Sequence, residues 1–295
     1  MKNNQEMMRL NGRTFFWATR FLSKDEVEDI ATLYAFCRFV DDLVDIRGAS
    51  CEQIQQDLQK QNSTFEPVRN LLKMASKRKM SLEPALILVR TLDKDRKGTR
   101  IQTWGELLRY CYGVASTVGL MMCDIFGVQN KNAYPFAIDL GIGMQLTNIS
   151  RDIREDAVQD KIYIPQEAFK KGVTVTKILQ GKEQEELIVA EEQILNLADR
   201  YYQSADRGMH FLPLQARLAI LVASRLYQAK GTTIRRNPHL YLKKRADVPF
   251  LGKIYHTLRA FYSYCLDPAC LIGRKTAHDA SLHRDLLFLP ATNPP

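Results

Sequence analysis

Apolar residues recur at three- and four-residue intervals along almost the whole 295-residue chain, and β-branched alternation bounded by hairpin turns is nearly absent. This pattern predicts an all-α, single-domain helical bundle, with helices over 24–46, 50–61, 64–78, 82–94, 103–127, 133–157, 183–207, 213–235 and 249–265. Ser23 and Glu26 have capping-box spacing ahead of the first of these, and Gly48 is placed to end it. Gly98, Gly127, Pro165, Gly172, Pro213 and Pro238 supply further breaks. The helical body is expected to occupy 1–271. The polar stretch 272–295, which finishes in Asn-Pro-Pro, is expected to be a loosely held tail.

Two of these helices carry acids where an apolar surface is otherwise continuous. On a wheel of about 100° per residue with Tyr34 as zero, Arg38, Asp41 and Asp45 fall near +40°, −20° and +20°, so four polar groups form one stripe. Val27, Ile30, Leu33, Cys37, Val40 and Val44 fill one flank and Ala35, Phe39 and Leu43 the other, the pattern of a buried helix. Two carboxylates in such a setting need a cation or a water-filled cavity, and Arg38 neutralises only one of them. In the second helix Gly141, Gln145, Asn148, Asp152 and Asp156 share an arc of about 80°. The last three place oxygen ligands at i, i+4 and i+8. Oxygen donors without His or Cys suit a hard cation such as Mg²⁺ better than zinc. Either stripe alone is most simply a salt-bridged helix face. The pair together points to a cavity in which metal ions bridge carboxylates to a phosphorylated substrate.

Composition narrows the class further. The chain is 45% hydrophobic and 25% charged, ordinary values for a globular protein. Its longest uncharged stretch, Tyr110 to Cys123, is too short to span a bilayer, and the polar first residues lack the features of a secretory signal. A cytoplasmic protein is expected. Six cysteines occur without a Cys-x-x-Cys pair, which fits reduced thiols. The formal net charge of +9 suits nucleic acid, an anionic membrane or a phosphorylated substrate. The runs Lys77–Lys79, Arg235–Arg236 and Lys243–Arg245 come with no recognition helix or aromatic platform, so no nucleic-acid partner is expected. The segment Val248 to Leu266 sets Phe250, Leu251, Ile254, Tyr255, Leu258, Phe261 and Tyr262 among basic residues. It reads either as a helix closing the core or as an interfacial helix giving peripheral association with the inner face of a membrane.

Tyr34-Ala-Phe-Cys-Arg-Phe-Val-Asp-Asp-Leu-Val-Asp45 and Gln145-Leu-Thr-Asn-Ile-Ser-Arg-Asp-Ile-Arg-Glu-Asp-Ala157 resemble the two aspartate-rich motifs of the squalene and phytoene synthases. Ile162-Tyr-Ile-Pro165, the stretch Tyr110 to Gly119 and the segment Tyr201 to Tyr227 agree as well, so the resemblance runs from about Arg13 to Arg245. The Thr-Asn-Ile-x-Arg-Asp wording and Thr117-Val-Gly-Leu-Met121 lean towards the bacterial phytoene-forming branch. One departure lies near the N-terminus, where Gly12-Arg13-Thr14-Phe15 offers one hydroxyl in place of the usual two.

The resemblance implies an isoprenoid-synthase bundle with a central cavity, and a prenyltransferase that joins two allylic prenyl diphosphates head to head through a cyclopropyl diphosphate. It implies metal ligation by Asp41, Asp45, Asn148, Asp152 and Asp156, with about three Mg²⁺ per site to balance two diphosphates, Mn²⁺ being an alternative. It assigns diphosphate contacts to Thr14, Tyr34, Arg38, Gln145, Arg151, Tyr227 and Arg245, and leaves proton transfer to Tyr110 or to the departing diphosphate. Two geranylgeranyl diphosphates would give phytoene without NADPH. Farnesyl diphosphate would give dehydrosqualene, or squalene with NADPH, and a non-catalytic scaffold is a more remote reading. The small run Gly113, Val114, Ala115, Ser116, Val118 and Gly119 is expected either to line the prenyl tunnel or to pack helices closely. Oligomeric state is left open.

Overall fold

The computed structural model describes residues 4–46, 48–96, 98–242, 246–266 and 277–292. In chain order its helices are α1 (Asn4–Asn11), α2 (Arg13–Ala18), α3 (Lys24–Asp45), α4 (Glu52–Lys60), α5 (Glu66–Arg78), α6 (Glu83–Asp95), α7 (Trp104–Cys111), α8 (Thr117–Ile125), α9 (Tyr134–Arg151), α10 (Ile153–Val158), α11 (Val175–Leu179), α12 (Gln184–Arg207), α13 (Leu214–Arg236), α14 (Pro238–Tyr241) and α15 (Phe250–Leu266). Among the described residues the only extended pairing is one parallel bridge between Arg100 and Ile162. The all-α expectation holds. α3 starts at the expected capping box, with Ser23 and Glu26 each bonding the other's backbone N–H, and Gly48 follows it in a left-handed turn at φ +57°. Lys77 and Arg78 both reach the buried Asp29, at 3.5 and 2.5 Å.

Two helices expected to be continuous are interrupted. In place of one helix over 103–127, α7 and α8 are separated by a π-helical turn at Tyr112–Ser116. The turn is closely packed on both sides. A Cβ at Gly113 would lie 2.2 Å from Thr91 Oγ1, and one at Gly141 would lie 2.6 Å from the Ser116 backbone. π turns concentrate at functional sites, and this one carries the chain past the cavity described below. The helix expected over 133–157 breaks at Asp152 (φ −109°, ψ 16°), which divides α9 from α10. Backbone bonds from Asp152 N to Asn148 O and from Asp156 N to Asp152 O span the break, so the acids stay one turn apart.

Buried apolar residues form two main clusters. One is built from α1, α3 to α6 and α8, with Leu33, Phe36 and Val40 of α3 at its centre. The other is built on α7, α9 and α12, including Ile138, Ile142 and Tyr201. α3 belongs to the first and α9 to the second, so their acidic faces meet where the two clusters adjoin.

The tail expected to be loose is, over 277–292, folded against the body. Tyr201 Oη donates to Leu282 O and Tyr112 Oη to Pro290 O, each at 2.7 Å. His278 and His283 Nε2 each bond a separate oxygen of the buried Asp139 at 2.8 Å. Composition missed this docking because the partners of the tail lie far away in sequence. The Asp139, His278 and His283 ligand atoms lie within 4.8 Å of one another, close enough for a divalent ion. However, both carboxylate oxygens already accept bonds, and buried His283 Nδ1 lacks the acceptor that normally orients a metal-bound imidazole. The cluster works as a hydrogen-bonded staple. Burial alone would push the Asp139 carboxyl up, but the bonds from His278 and His283 hold it below its ordinary value. Asp139→Ala is expected to cost about 3 kcal/mol, since it removes two bonds to a buried carboxylate, or a fall in Tm of about 6 °C for a chain of this size. Hydrogen exchange should localise the release to 277–292; unchanged protection of the Leu282–Leu286 amides would contradict the staple.

Candidate active site

The acids of α3 and of α9–α10 line one cavity of about 780 Å³. Twelve of the expected site residues face it: Thr14, Tyr34, Arg38, Asp41, Asp45, Tyr110, Gln145, Asn148, Arg151, Asp152, Asp156 and Tyr227. The thirteenth, Arg245, lies outside the described residues. Thr14 and Phe15 are carried in by α2, so the single hydroxyl of the Gly-Arg-Thr-Phe segment does reach the cavity wall.

Electrostatically the cavity is short of positive charge for holding phosphate. Its lining has five basic residues (Arg13, Arg38, Arg151, Lys161, Lys230) against six acidic ones (Asp41, Asp45, Asp95, Asp152, Asp156, Asp247). Burial, and then the neighbouring Asp45, pushes the Asp41 carboxyl up to about 6. Burial, and then Asp152, pushes Asp156 up to about 8. Such carboxylates are held in mutual repulsion that a cation would relieve. Asn148 adds a buried Oδ1 without a hydrogen-bond partner. An all-oxygen set with an orphaned carbonyl and destabilised carboxylates fits divalent magnesium.

Two expected phosphate-gripping arginines are engaged with acids. Arg38 reaches Asp41 at 3.2 Å and Asp42 at 2.5 Å. Arg151 forms a two-pronged pair with Asp152 through its Nε, at 2.7 Å, and its Nη2. Both must share or exchange these partners to reach a phosphate.

The sequence reading missed a second group of residues. Lys161 Nζ lies 2.6 Å from Asp45 and 3.1 Å from Asp95, with the Lys161 side chain 8% and the Asp95 side chain 3% exposed. Asp95 also accepts bonds from Thr99, Tyr163 and, at 3.4 Å, Tyr110, whose ring stacks on Tyr163 with centroids 4.6 Å apart. The Arg100–Ile162 bridge builds this arrangement: Ile162 N donates to Thr99 O and Ile101 N to Ile162 O, which draws the loop after α10 onto the end of α6. Burial, and then the Asp95 charge, raises the Tyr110 hydroxyl well above its ordinary value, so it stays protonated. Lys230 sits over the Tyr227 ring at 3.9 Å. Its position three residues after Tyr227 on α13 was the available sequence signal.

A second cavity, of about 300 Å³ and almost wholly apolar, adjoins the first. Phe15, Tyr34, Cys37, Val114, Gln145, Asn148 and Tyr227 line both. Of the small run, Val114, Ala115, Val118 and Gly119 line the apolar cavity. Gly113 and Ser116 instead serve packing, Gly113 against Thr91 and Ser116 by donating to Ile138 O.

The chain is 31% identical over 245 residues to a 15-cis-phytoene synthase of Enterobacter agglomerans, covering 77% of this chain and 83% of that protein. It is 29% identical over 273 residues to the chloroplastic phytoene synthase 2 of Solanum lycopersicum, covering 87% of each. The fold superposes on a dehydrosqualene synthase crystal structure with a TM-score of 0.79 at 25% identity, covering 89% of this chain and 95% of that one. The squalene synthase HpnC of Alicyclobacillus acidocaldarius shares the fold with a TM-score of 0.68 at 21% identity, over 80% and 94% of the two chains. A family profile described as squalene/phytoene synthase matches residues 8–252, and the chain belongs to that family.

Proposed function

We propose that the protein is a prenyltransferase that condenses two geranylgeranyl diphosphates head to head, through a cyclopropyl diphosphate, to phytoene. The observation that carries this reading is the continuity of a polar, acid-lined cavity with an apolar one, which matches a diphosphate head joined to a prenyl tail. Asp41, Asp45, Asn148, Asp152 and Asp156 would hold Mg²⁺, whose charge assists departure of the diphosphate. Lys230, Arg13, Thr14, Tyr34, Gln145 and Tyr227 orient the phosphate oxygens, together with Arg38, Arg151 and Lys161 where these release their acids. The apolar cavity keeps water from the allylic cation. The C1–O bond of the donor breaks, the acceptor double bond supplies the electron pair of the new C–C bond, and loss of a proton closes the cyclopropane. Because Tyr110 remains protonated, it donates a hydrogen bond, and the departed diphosphate takes the proton. A second ionisation then starts the rearrangement, and proton loss gives the linear triene without NADPH.

The phytoene synthases among the relatives favour the C20 substrate over the C30-forming alternative, and the reach of the apolar lining is compatible with it. Along α9 the apolar lining runs from Asn148 back to Phe136 and Ala133, a distance of roughly 18–22 Å at 1.5 Å per residue. An extended geranylgeranyl tail spans about 19 Å and a farnesyl tail about 14 Å, for bonds near 1.5 Å. Peripheral association with a lipid surface belongs to the same reading. No helix among the described residues is long and apolar enough to cross a membrane, and the product is a hydrocarbon. Incubation with geranylgeranyl diphosphate and Mg²⁺ should yield phytoene with or without NADPH, and farnesyl diphosphate should turn over more slowly. Exclusive use of farnesyl diphosphate, or full activity in EDTA, would overturn the assignment.

A further inference from the structure

α15 is turned inside out. Its large apolar residues Phe250, Leu251, Ile254, Leu258, Phe261 and Tyr262 occupy one side of the helix, and that side faces solvent: Leu251 is 77% and Leu258 64% exposed. The side turned to the body carries Gly252, His256, Thr257, Ala260, Ser263 and Tyr264, and Ala260 is the one fully buried member of the helix. α15 rests on the body through this mixed face, with Ala260 and Tyr264 in the cluster formed by Ala18, Leu221 and Leu226. An ordinary amphipathic surface helix buries its apolar stripe. One that turns a mixed, partly polar side to the body and leaves its large apolar residues exposed presents them to a second apolar medium.

Charge and position say which medium. α15 has no acidic residue, and it carries Lys253 and Arg259. Exposed Arg236 lies close enough to His256 to act on its charge, and exposed Arg20 stacks on Trp17 at 4.1 Å. In a two-fold dimer through this face, equivalent cationic rims would approach one another. An anionic bilayer meets both the apolar face and the cationic rim. α2 links this face to the reaction site. Its Phe15 lines both cavities, while Trp17 on the same short helix donates to Thr257 at 3.0 Å and meets Phe250 edge-on with centroids 5.7 Å apart.

We propose that α15 docks on an anionic lipid bilayer and that α2, packed beneath it, sets the wall of the apolar cavity against the lipid, the medium that receives the hydrocarbon. The partner named here rests on the prenyltransferase reading, but its test does not. The full chain is mixed with phosphatidylcholine vesicles containing or lacking about 30% phosphatidylglycerol, and bound protein is measured by flotation. Wild type should float with the anionic vesicles. Leu251→Glu/Leu258→Glu should reduce the bound fraction at least tenfold, and Lys253→Glu/Arg259→Glu should reduce it on anionic vesicles only. Phytoene formation from detergent-dispersed substrate should stay unchanged in both variants, so a chain that binds vesicles but makes no phytoene refutes the reaction and not the docking. Absence of wild-type flotation would overturn the proposal. So would a wild-type dimer in solution that Leu251→Glu/Leu258→Glu converts to monomer, because the face would then belong to a second copy.

Discussion

Replacing Asp156 with asparagine is expected to cut turnover by about 10²–10³-fold, the scale of losing one well-placed electrostatic contact, while making the metal-free protein more stable at pH 8.5. Burial, and then the nearby Asp152, raises the Asp156 carboxyl from 3.8 to about 8. A group whose folded value is raised stabilises the fold when protonated. That contribution is complete below the unfolded value near 4 and is lost as pH rises through about 8. Metal-free wild type should therefore weaken as pH rises, first through the range near 6 where Asp41 titrates and then near 8. An asparagine carries no charge at any of these pH values. In EDTA the variant should melt several degrees above wild type at pH 8.5 and close to it at pH 5. With Mg²⁺ the order should narrow or reverse, because the wild-type carboxylate gains a cation and the amide binds one weakly. Melting curves at the two pH values with EDTA or Mg²⁺ test each part. A variant less stable than wild type at pH 8.5 in EDTA would show that Asp156 is a satisfied structural acid.

What could be read from the sequence follows the range of the interactions involved. α3 was legible from its caps to its acid stripe because helix periodicity is local: Tyr34, Arg38, Asp41 and Asp45 lie one turn apart in any helix. The stripe on α9 was also legible, though the break at Asp152 was not, since nothing in its spacing marks a change of backbone angle. Lys161, Asp95 and Tyr163 were invisible for a different reason. They meet only because two loops about sixty residues apart pair at Arg100 and Ile162, and a loop pairing of two residues leaves no periodic trace. The tail was misjudged by composition for the same reason. A hint existed at Asp139, an acid beside the buried Ile138 and Ile142 of α9, where a carboxylate needs partners. The family motifs added the identity of the acids but not the present pairing of Arg38 and Arg151, which depends on where their neighbours lie before substrate arrives.

Lys161→Met should destabilise the metal-free protein by about 3 kcal/mol, the lower end of the cost of removing one partner from a buried ion pair, or about 6 °C in Tm. Lys161 Nζ bridges Asp45 and Asp95, so its loss exposes two carboxylates to unscreened repulsion, one of them deeply buried. Methionine keeps the length and apolar stem of the side chain, which leaves charge as the main change. Mg²⁺ should then recover part of the loss. An ion held by the α3 acids takes over neutralisation of Asp45, while Asp95, which also anchors Tyr163 and Tyr110, stays without its ammonium. The Mg²⁺-induced rise in Tm is therefore expected to exceed that of wild type, although absolute stability stays lower. Turnover should fall as well, since the Tyr110–Tyr163 stack beside the cavity loses the charge that fixes its acceptor. Lys161→Arg should restore stability more fully than activity, because a guanidinium satisfies both acids but is larger than the ammonium it replaces. Equal Mg²⁺-induced shifts in wild type and Lys161→Met would mean that Lys161 and the ion do not share Asp45, and would separate the lysine from the metal chemistry of the site.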